Sequence, residues 1–341
     1  MMQTTSPPKV ERKEILNARV LSSHEPASRE RTVSIIVPVS PRGDVSQLQH
    51  LLNSVDGQTY NRVEVLVVAE RVSNLTTEFR FPVRWVRVPE GTGASAARNH
   101  GVDTAGGDLL AFLDDDVVIH PSWCEEAVKL FADGLVGGAS GDAEVDLARF
   151  NADYIPRSLR WVVGASYWDT SEITLVHGAT GTNFCVRRDS FEEVGGFNES
   201  LGPKGDRPEG GNWRRVGAEE SDLALRIIRS GKRFVYNPKM RATHFLRRET
   251  ILPRGIVNRS LHVGFNRAYI HRAHGSQGTI SDRQSIVALL WGARESLANA
   301  YRSPGKVWKL VSFSCLVVAS LFIGYVLGTL EFQGLTDGID N

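Results

Sequence analysis

An open α/β sheet, with its ligand site at the carboxyl ends of the strands, is the fold class this sequence predicts, and three observations predict it. Four short runs, the β-branched Thr32–Val39 followed by Val63–Val68, Val83–Val88 and the apolar Leu109–Leu113, read as strands of a largely buried sheet. Residues at helical spacing lie between and after them: Leu48, Leu51, Leu52 and Val55, then Ala94 to His100 behind the Gly91-Thr92-Gly93 turn. The fourth run stops at Asp114-Asp115-Asp116, and in sheets of this class ligands bind beyond the strand ends.

The first run, ending in Pro38 and the turn-rich SPRGD, is the first strand, and VEVLVV at 63–68 is the second. VRWVRV at 83–88 is the third and LLAFL at 109–113 the fourth. The second half is less regular. Ala139–Val145 and Ala179–Val186 read as strands, and Gly195-Gly196 as a turn inside Phe191–Phe197. Gly202–Gly217, rich in Gly, Pro and charge, reads as a mobile loop. Ala218–Ser230 reads as a helix with Leu223, Leu225, Ile227 and Ile228 on its apolar side and Gly231 closing it. Two short strands, Phe234–Tyr236 and Ala242–Phe245, flank Asn237-Pro238. Ile256–Tyr301 reads as amphipathic helices lying along a membrane surface.

Of 341 residues, 41% are hydrophobic and 23% charged, which supports a folded core rather than disorder. Forty Lys and Arg against 39 Asp and Glu leave a net charge of +1, arguing against a general nucleic-acid binder. Cys124, Cys185 and Cys315 lie far apart without a CxxC pair, so neither a zinc site nor a disulfide framework is indicated and a reducing compartment fits. No internal repeat is visible.

The organisation follows. Residues 1–31 form a polar leader without the apolar core of a secretory signal, and 32–250 the α/β domain. Residues 251–309 carry the membrane-proximal helices, 310–330 a transmembrane helix, and 331–341 a short acidic tail. The 310–330 segment has 21 residues without charge, enough for the roughly 30 Å of a bilayer core. The competing reading is a buried core helix. Arg294, Arg302, Lys306 and Lys309 precede the segment, and Glu331, Asp337 and Asp340 follow it, which places the N-terminal bulk of the chain in the cytoplasm at the cell membrane.

The triple aspartate is the strongest chemical signal. Three carboxylates at a strand end repel one another, and a divalent cation bridging them to a diphosphate compensates that charge. An acidic turn capping the next helix is the plainer alternative.

IIVPV at the first strand, ASAARN at 94–99, FLDDD at 112–116, GTNFCVRRDSFEEVGGF at 181–197 and EESDLALRI at 219–227 follow one another in this order. That ordered set, spanning roughly residues 32–246, resembles the family-2 glycosyltransferases, inverting enzymes of the GT-A (Rossmann-like nucleotide-diphospho-sugar transferase) fold. The C-terminal region is similar to membrane-anchored archaeal and bacterial members that act on dolichyl- or polyprenyl-phosphate-linked glycans. The resemblance implies a nucleotide-sugar donor, a lipid-linked sugar acceptor, a membrane partner and Mg²⁺ or Mn²⁺. Its motifs imply that Asp114 faces the donor ribose, that Asp116 holds the metal with Asp114, and that Asp115 fills the middle of the donor motif. His244 stands where such enzymes often supply a further metal ligand, with a plain surface histidine as the alternative.

Arg98 and Asn99 match the family's donor-binding ARN, against an ordinary amphipathic helix. The resemblance implies that Pro38 and Val39 lie against the nucleotide base. Many members carry two aspartates after the second strand, one of them reading uracil; this chain has Ala69 and Glu70, so Glu70 takes that position and the carrier base is left open. Glu219 and Glu220 match the acidic pair whose second member takes the acceptor proton: Glu220 as base, Glu219 holding the acceptor, Asp222 as a third candidate. Acids complementing the helix dipole are the alternative. Gly181, Thr182 and Asn183 match the acceptor side, and Trp213 in the loop is placed to stack on a sugar. Arg247, Arg248 and Arg254 meet a lipid phosphate or anionic headgroups.

Three rivals remain on the sequence. A polyprenyl-phosphate sugar synthase uses the lipid phosphate itself as acceptor. A nucleotidyltransferase needs a Gly-rich phosphate loop that SPRGD hardly supplies. A non-catalytic scaffold binds sugar nucleotide without turnover. The sequence leaves the oligomeric state open.

Overall fold

The computed structural model of this chain describes residues 31–40, 43–71, 78–152, 155, 157–168, 170–203, 216–275 and 304–333. The polar leader up to residue 30, Trp213 with most of its loop, the helices expected beyond residue 275 and the tail beyond residue 333 lie outside the described residues.

The elements run β1 (Val33–Pro38), α1 (Val45–Asp56), β2 (Val63–Ala69), β3 (Val83–Arg87), α2 (Ala94–Thr104), β4 (Leu109–Leu113) and β5 (Val117–Ile119). There follow α3 (Trp123–Leu130), β6 (Val136–Val145), β7 (Thr174–Leu175), β8 (Asn183–Arg187), α4 (Arg188–Glu193) and α5 (Glu219–Arg229). The last are β9 (Arg233–His244), α6 (Arg248–Ile251), α7 (Pro253–His274) and α8 (Pro304–Glu331). Two 3₁₀ segments, Ala148–Phe150 and Arg157–Val163, sit between β6 and β7.

One sheet takes the strand order β3-β2-β1-β4-β8-β6-β9-β5, with β7 also paired to β9. The first four are parallel, and β8 joins β4 antiparallel. The alternation of side chains divides the core in two. Val33, Ile35 and Val37 of β1, with Val65 and Val67 of β2 and Leu109 and Leu113 of β4, pack under α1 and α3. Ile36, Leu66, Leu110 and Phe112 face α2, α4 and α5 on the other side. Each such side chain contributes about 1.5–3 kcal/mol by leaving water, which is why these runs lack polar residues on either face. The exceptions, Ser34 of β1 and Glu64 of β2, meet one another: the buried Ser34 hydroxyl donates to Glu64 at 2.6 Å.

Two readings of the second half are corrected. The short strands expected on either side of Asn237-Pro238 are one strand, β9, because a bulge absorbs the proline: Gly141 pairs with Asn237, and the next partner, Asp142, pairs with Arg241. The strand expected from Ala179 begins at Asn183, because Asn183 N–H closes a turn onto the Thr180 carbonyl at 3.0 Å. β5 was not anticipated. It pairs antiparallel with β9 so that Val117 stands opposite His244, and this register brings that histidine to the aspartates.

A third apolar cluster joins the 3₁₀ segment 157–163, α7 and α8 through Leu159, Val162, Ile256, Phe313, Val317 and Leu321. Val311–Glu331 of α8 is long and apolar enough to cross a membrane.

Candidate functional site

The site lies where the carboxyl ends of β4 and β9 meet the N-terminal turns of α2 and α5. β4 delivers the three aspartates, each with a different environment. Asp115 turns back toward β1, and its Oδ2 accepts the Ser40 N–H at 3.0 Å. Burial, and then the neighbouring Asp116, push its carboxyl up to about 7. Asp116 faces His244, with Oδ1 3.4 Å from Nε2. Asp114 faces Arg98, with Oδ1 3.3 Å from Nη2. Burial raises Asp114 as well; Arg98 works against that rise, and Asp116 adds to it.

Arg98 is the hub. It is 3% exposed, and its Nη1 lies 3.2 Å from Oε1 of both Glu219 and Glu220 while Nη2 reaches Asp114. Burial alone would weaken its hold on the proton; Glu220, Asp114 and Glu219 outweigh that and keep it charged. Its guanidinium also stacks over Phe197, 5.5 Å from the ring centroid. One cation thus faces three carboxylates, and the cluster keeps an excess of negative charge.

The two glutamates open α5, where the helix dipole favours anions. They differ in access: the Glu219 side chain is 4% exposed and that of Glu220 is 14%. Burial first, then the Glu219 charge, raise the pKa of Glu220, with Arg98 opposing. Gly181 lies against this carboxylate: a Cβ there would stand 2.6 Å from Glu220 Oε1, so glycine is what lets the chain pass. Beside it, the buried hydroxyls of Thr180 and Thr182 have no hydrogen-bond partner among the described residues.

His244 is 7% exposed, and its Nδ1 lies 3.3 Å from the Gly164 carbonyl. Donation from Nδ1 leaves the Nε2 lone pair facing the Asp116 carboxylate, an arrangement that calls for a proton or a cation between them. Although burial opposes it, Asp116 holds the His244 pKa above its ordinary value. Gly164, at φ +103°, allows this close approach, since a Cβ there would lie 2.6 Å from Nδ1. Among the described residues, no three His, Cys, Asp or Glu side chains converge as a ready-made metal cage.

The remaining expected site residues fall in three places. Pro38 and Val39 end β1, with Val39 N–H donating to the Val68 carbonyl at 2.8 Å. Glu70 accepts from Gly91 N–H at 2.8 Å, and a cavity of about 460 Å³ opens between Glu70, Arg71, Arg87, Val88, Pro89 and Glu90. Asn99 is tied to the turn after α4, receiving Phe197 N–H and donating to its carbonyl, both at 3.0 Å, and to Glu199 at 2.9 Å.

Two expectations move inward. Asn183, expected to face the acceptor, is fully buried: it accepts from Trp123 Nε1 at 2.7 Å and donates to the carbonyls of Asp142 and Met240. All its polar capacity goes to joining β8, β6, β9 and α3. Asp222 points away from Glu220 toward His274 Nε2 at 2.9 Å and Arg226 Nε at 2.9 Å. Those partners hold its carboxyl below the usual range despite the opposing effect of burial. The sequence reading missed Ser40, Thr180, Gly164 and His274. The buried hydroxyl of Thr180 sits one residue before a glycine already singled out, a signal that was available; the other three depend on long-range placement.

Comparison with known proteins bears on the family and the fold. Residues 34–195 match the family described as Glycosyl transferase family 2. The glucosyl-dolichyl phosphate glucuronosyltransferase of Haloferax volcanii is 26% identical over 310 residues, covering 87% of this chain and 96% of that protein. Glycosyltransferase AglE of the same organism is 30% identical over 51% of this chain and 58% of its own length. A solved structure of the mannosyltransferase PcManGT from Pyrobaculum calidifontis, in complex with GDP-Man and Mn²⁺, is 19% identical and superposes with a TM-score of 0.57, over 90% of this chain and 89% of that one. This chain is a transferase carrying a family-2 glycosyltransferase domain of the GT-A fold.

Proposed function

We propose that this chain transfers a sugar from a nucleotide-sugar donor to a lipid-linked acceptor, a glycan borne on dolichyl or polyprenyl phosphate, in the building of a surface glycan or a protein-linked one. Transfer inverts the anomeric centre and depends on Mg²⁺ or Mn²⁺. The observation that carries the reading is Arg98: one buried guanidinium ties the donor-side aspartate to the acidic pair of α5, so donor and base belong to one site. The lipid-linked acceptor is supported by the Haloferax relative, whose name states such an acceptor and whose length this chain nearly spans.

Glu220 is the base. Its carboxylate is the accessible one of the pair, and its raised pKa suits proton removal. It takes the proton of the acceptor hydroxyl as that oxygen bonds to the anomeric carbon. The bond from that carbon to the diphosphate oxygen breaks, and the nucleoside diphosphate leaves with the electron pair. Glu219, sealed beneath, holds Arg98 and through it the position of Glu220. Gly181 lines the acceptor side against Glu220, flanked by Thr180 and Thr182, whose buried hydroxyls have no partner among the described residues. Donor contacts fall to Pro38, Val39 and Asp115 at the β1 end and to Glu70 at the cavity, while Asn99 holds the turn at Phe197.

The donor set fits a hard divalent cation. Asp116 and His244 Nε2, which face one another across 3.4 Å, would hold it together with Asp114. When bound, the cation neutralises the departing diphosphate. Membrane attachment through α8 keeps the catalytic domain on the cytoplasmic face, beside its acceptor.

The test is a panel of isotope-labelled nucleotide sugars given to the full-length protein with Mn²⁺ or Mg²⁺ and short-chain dolichyl-phosphate sugars. Label on the acceptor sugar supports the proposal. Label directly on the lipid phosphate makes the protein a polyprenyl-phosphate sugar synthase instead, and donor binding without any transfer makes it a scaffold.

A further inference from the structure

The helices α7 and α8 run side by side in the same direction with their backbones touching. Gly264 faces the Leu321 carbonyl and Gly324 faces that of Leu261; a Cβ on either glycine would stand 2.1 Å from the oxygen. Farther along, Phe265 meets Phe332 at 4.9 Å between ring centroids, and Arg272 Nη2 donates to the Gln333 carbonyl at 3.0 Å. Near the start of α8, Phe313 and Val317 pack with Ile256 of α7. The pairing therefore follows essentially the whole apolar stretch Val311–Glu331.

On its other side α7 is fastened to the catalytic domain. Arg259 Nε donates to the Val162 carbonyl at 2.9 Å, Asn266 Oδ1 accepts from Gly217 N–H at 3.0 Å, and His274 Nε2 meets Asp222 at 2.9 Å. Phe313, Val317 and Leu321 of α8 themselves share a cluster with Val145 and Leu147 at the end of β6. A helix crossing a bilayer in this arrangement would carry Arg259, Arg267 and a sheet end to the depth of the acyl chains, where charges and open strand ends are not tolerated.

We infer that α8 does not cross the membrane but lies in the plane of its surface, docked on α7, and that its partner is the headgroup–acyl boundary of an anionic bilayer. This rests on the reading that the enzyme works at a membrane. The face of α8 turned away from α7 is an apolar stripe: Val318, Phe322, Ile323, Val326 and Leu330 are 46%, 67%, 49%, 39% and 58% exposed. Such a stripe suits the shallow apolar layer beneath headgroups. Trp308, 78% exposed, and Lys309 mark one end, and the exposed cations Arg254 and Arg272 lie on α7. An amphipathic tryptophan and flanking cations are what an anionic surface attracts. The docking also links lipid to catalysis, because α7 holds α5, the helix bearing Glu219 and Glu220, through the His274–Asp222 contact.

The test uses the full-length protein bound to preformed vesicles of phosphatidylcholine and phosphatidylglycerol. Cys315 is replaced by Ser and a single exposed cysteine is introduced as Gln333→Cys; Cys124 and Cys185 are buried. A membrane-impermeant maleimide should label position 333 equally with and without detergent. Labelling that requires detergent means the helix has crossed and overturns the inference, as does failure of the protein to bind the vesicles. As a second reading, Phe322→Glu with Ile323→Glu should release the protein from vesicles while transfer to a water-soluble acceptor continues; continued vesicle binding overturns the stripe as the contact. A protein that labels as expected yet transfers no sugar upholds the topology and refutes only the reading of function.

Discussion

Replacing Arg98 with methionine removes the guanidinium that faces Asp114, Glu219 and Glu220 together and keeps roughly the side chain's volume. At separations of 3.2 to 3.3 Å, each pair is worth about 5 kcal/mol of gross attraction at an effective dielectric of about 20, most of it offset by the cost of burying the charges. Removing one partner of a buried pair leaves that cost uncovered, so a loss of about 3–5 kcal/mol in unfolding free energy is expected near pH 8. At about 2–4 °C per kcal/mol for a domain of this size, the melting temperature falls by about 6–20 °C. The sign with pH follows from linkage. Burial already raises Asp114 and Glu220, and without Arg98 their folded-state pKa values rise further, so the deficit shrinks as pH falls through those raised values and is smaller at pH 5 than at pH 8. Urea unfolding followed by tryptophan fluorescence at pH 5 and pH 8 measures both. A deficit below about 1 kcal/mol at pH 8, or one of equal size at the two pH values, would refute the idea that this guanidinium neutralises the cluster. Arg98→Lys should fall between, keeping the charge but losing the fork that spans two carboxylates.

Other substitutions separate the roles within the site. Glu220→Gln should lower the rate of transfer by about 10²–10⁴-fold with donor affinity unchanged, as measured by labelled transfer alongside calorimetric donor titration. In the parent enzyme the rate should climb with pH on a limb displaced to the alkaline side of an ordinary glutamate, because burial and Glu219 raise this group; a flat profile across that limb contradicts its role as base. Asp116→Ala or His244→Ala should abolish the rise in melting temperature that nucleoside diphosphate with Mn²⁺ gives the parent, since only ligand bound to the native state raises apparent stability. Asn183→Ala should cost at least about 2 kcal/mol in chemical denaturation, because Trp123 Nε1 and two carbonyls lose their partner.

The parallel half of the sheet was legible because β1, β2 and β4 are largely buried on both faces and their sequences are apolar but for the paired Ser34 and Glu64. Elements whose identity depends on neighbours were not. Pro238 read as a break, yet β9 runs through it, because a bulge against Gly141 and Asp142 places the proline outside the ladder. Val117–Ile119 is too short to stand as a strand by pattern; it exists because β9 pairs with it, and only that pairing shows why His244 lies beside Asp116. The aspartate motif and the acidic pair were visible as local signals, but their union through Arg98 was not, because Glu219 lies 121 positions away along the chain. Asn183 and Asp222 are polar residues in motif positions that tertiary packing turned to internal use, a distinction that local sequence does not encode. The 310–330 segment was legible as apolar, but its docking on α7 depends on glycines at 264 and 324 that sequence alone gave no reason to pair.

The most direct measurement is single-turnover transfer by Glu220→Gln beside Asp116→Ala, each with its donor affinity in Mn²⁺. One shared site requires that Glu220→Gln bind donor normally and transfer almost nothing, while Asp116→Ala loses the metal-dependent part of donor binding. Transfer at the parental rate by Glu220→Gln, or parental donor affinity in Asp116→Ala, would contradict it.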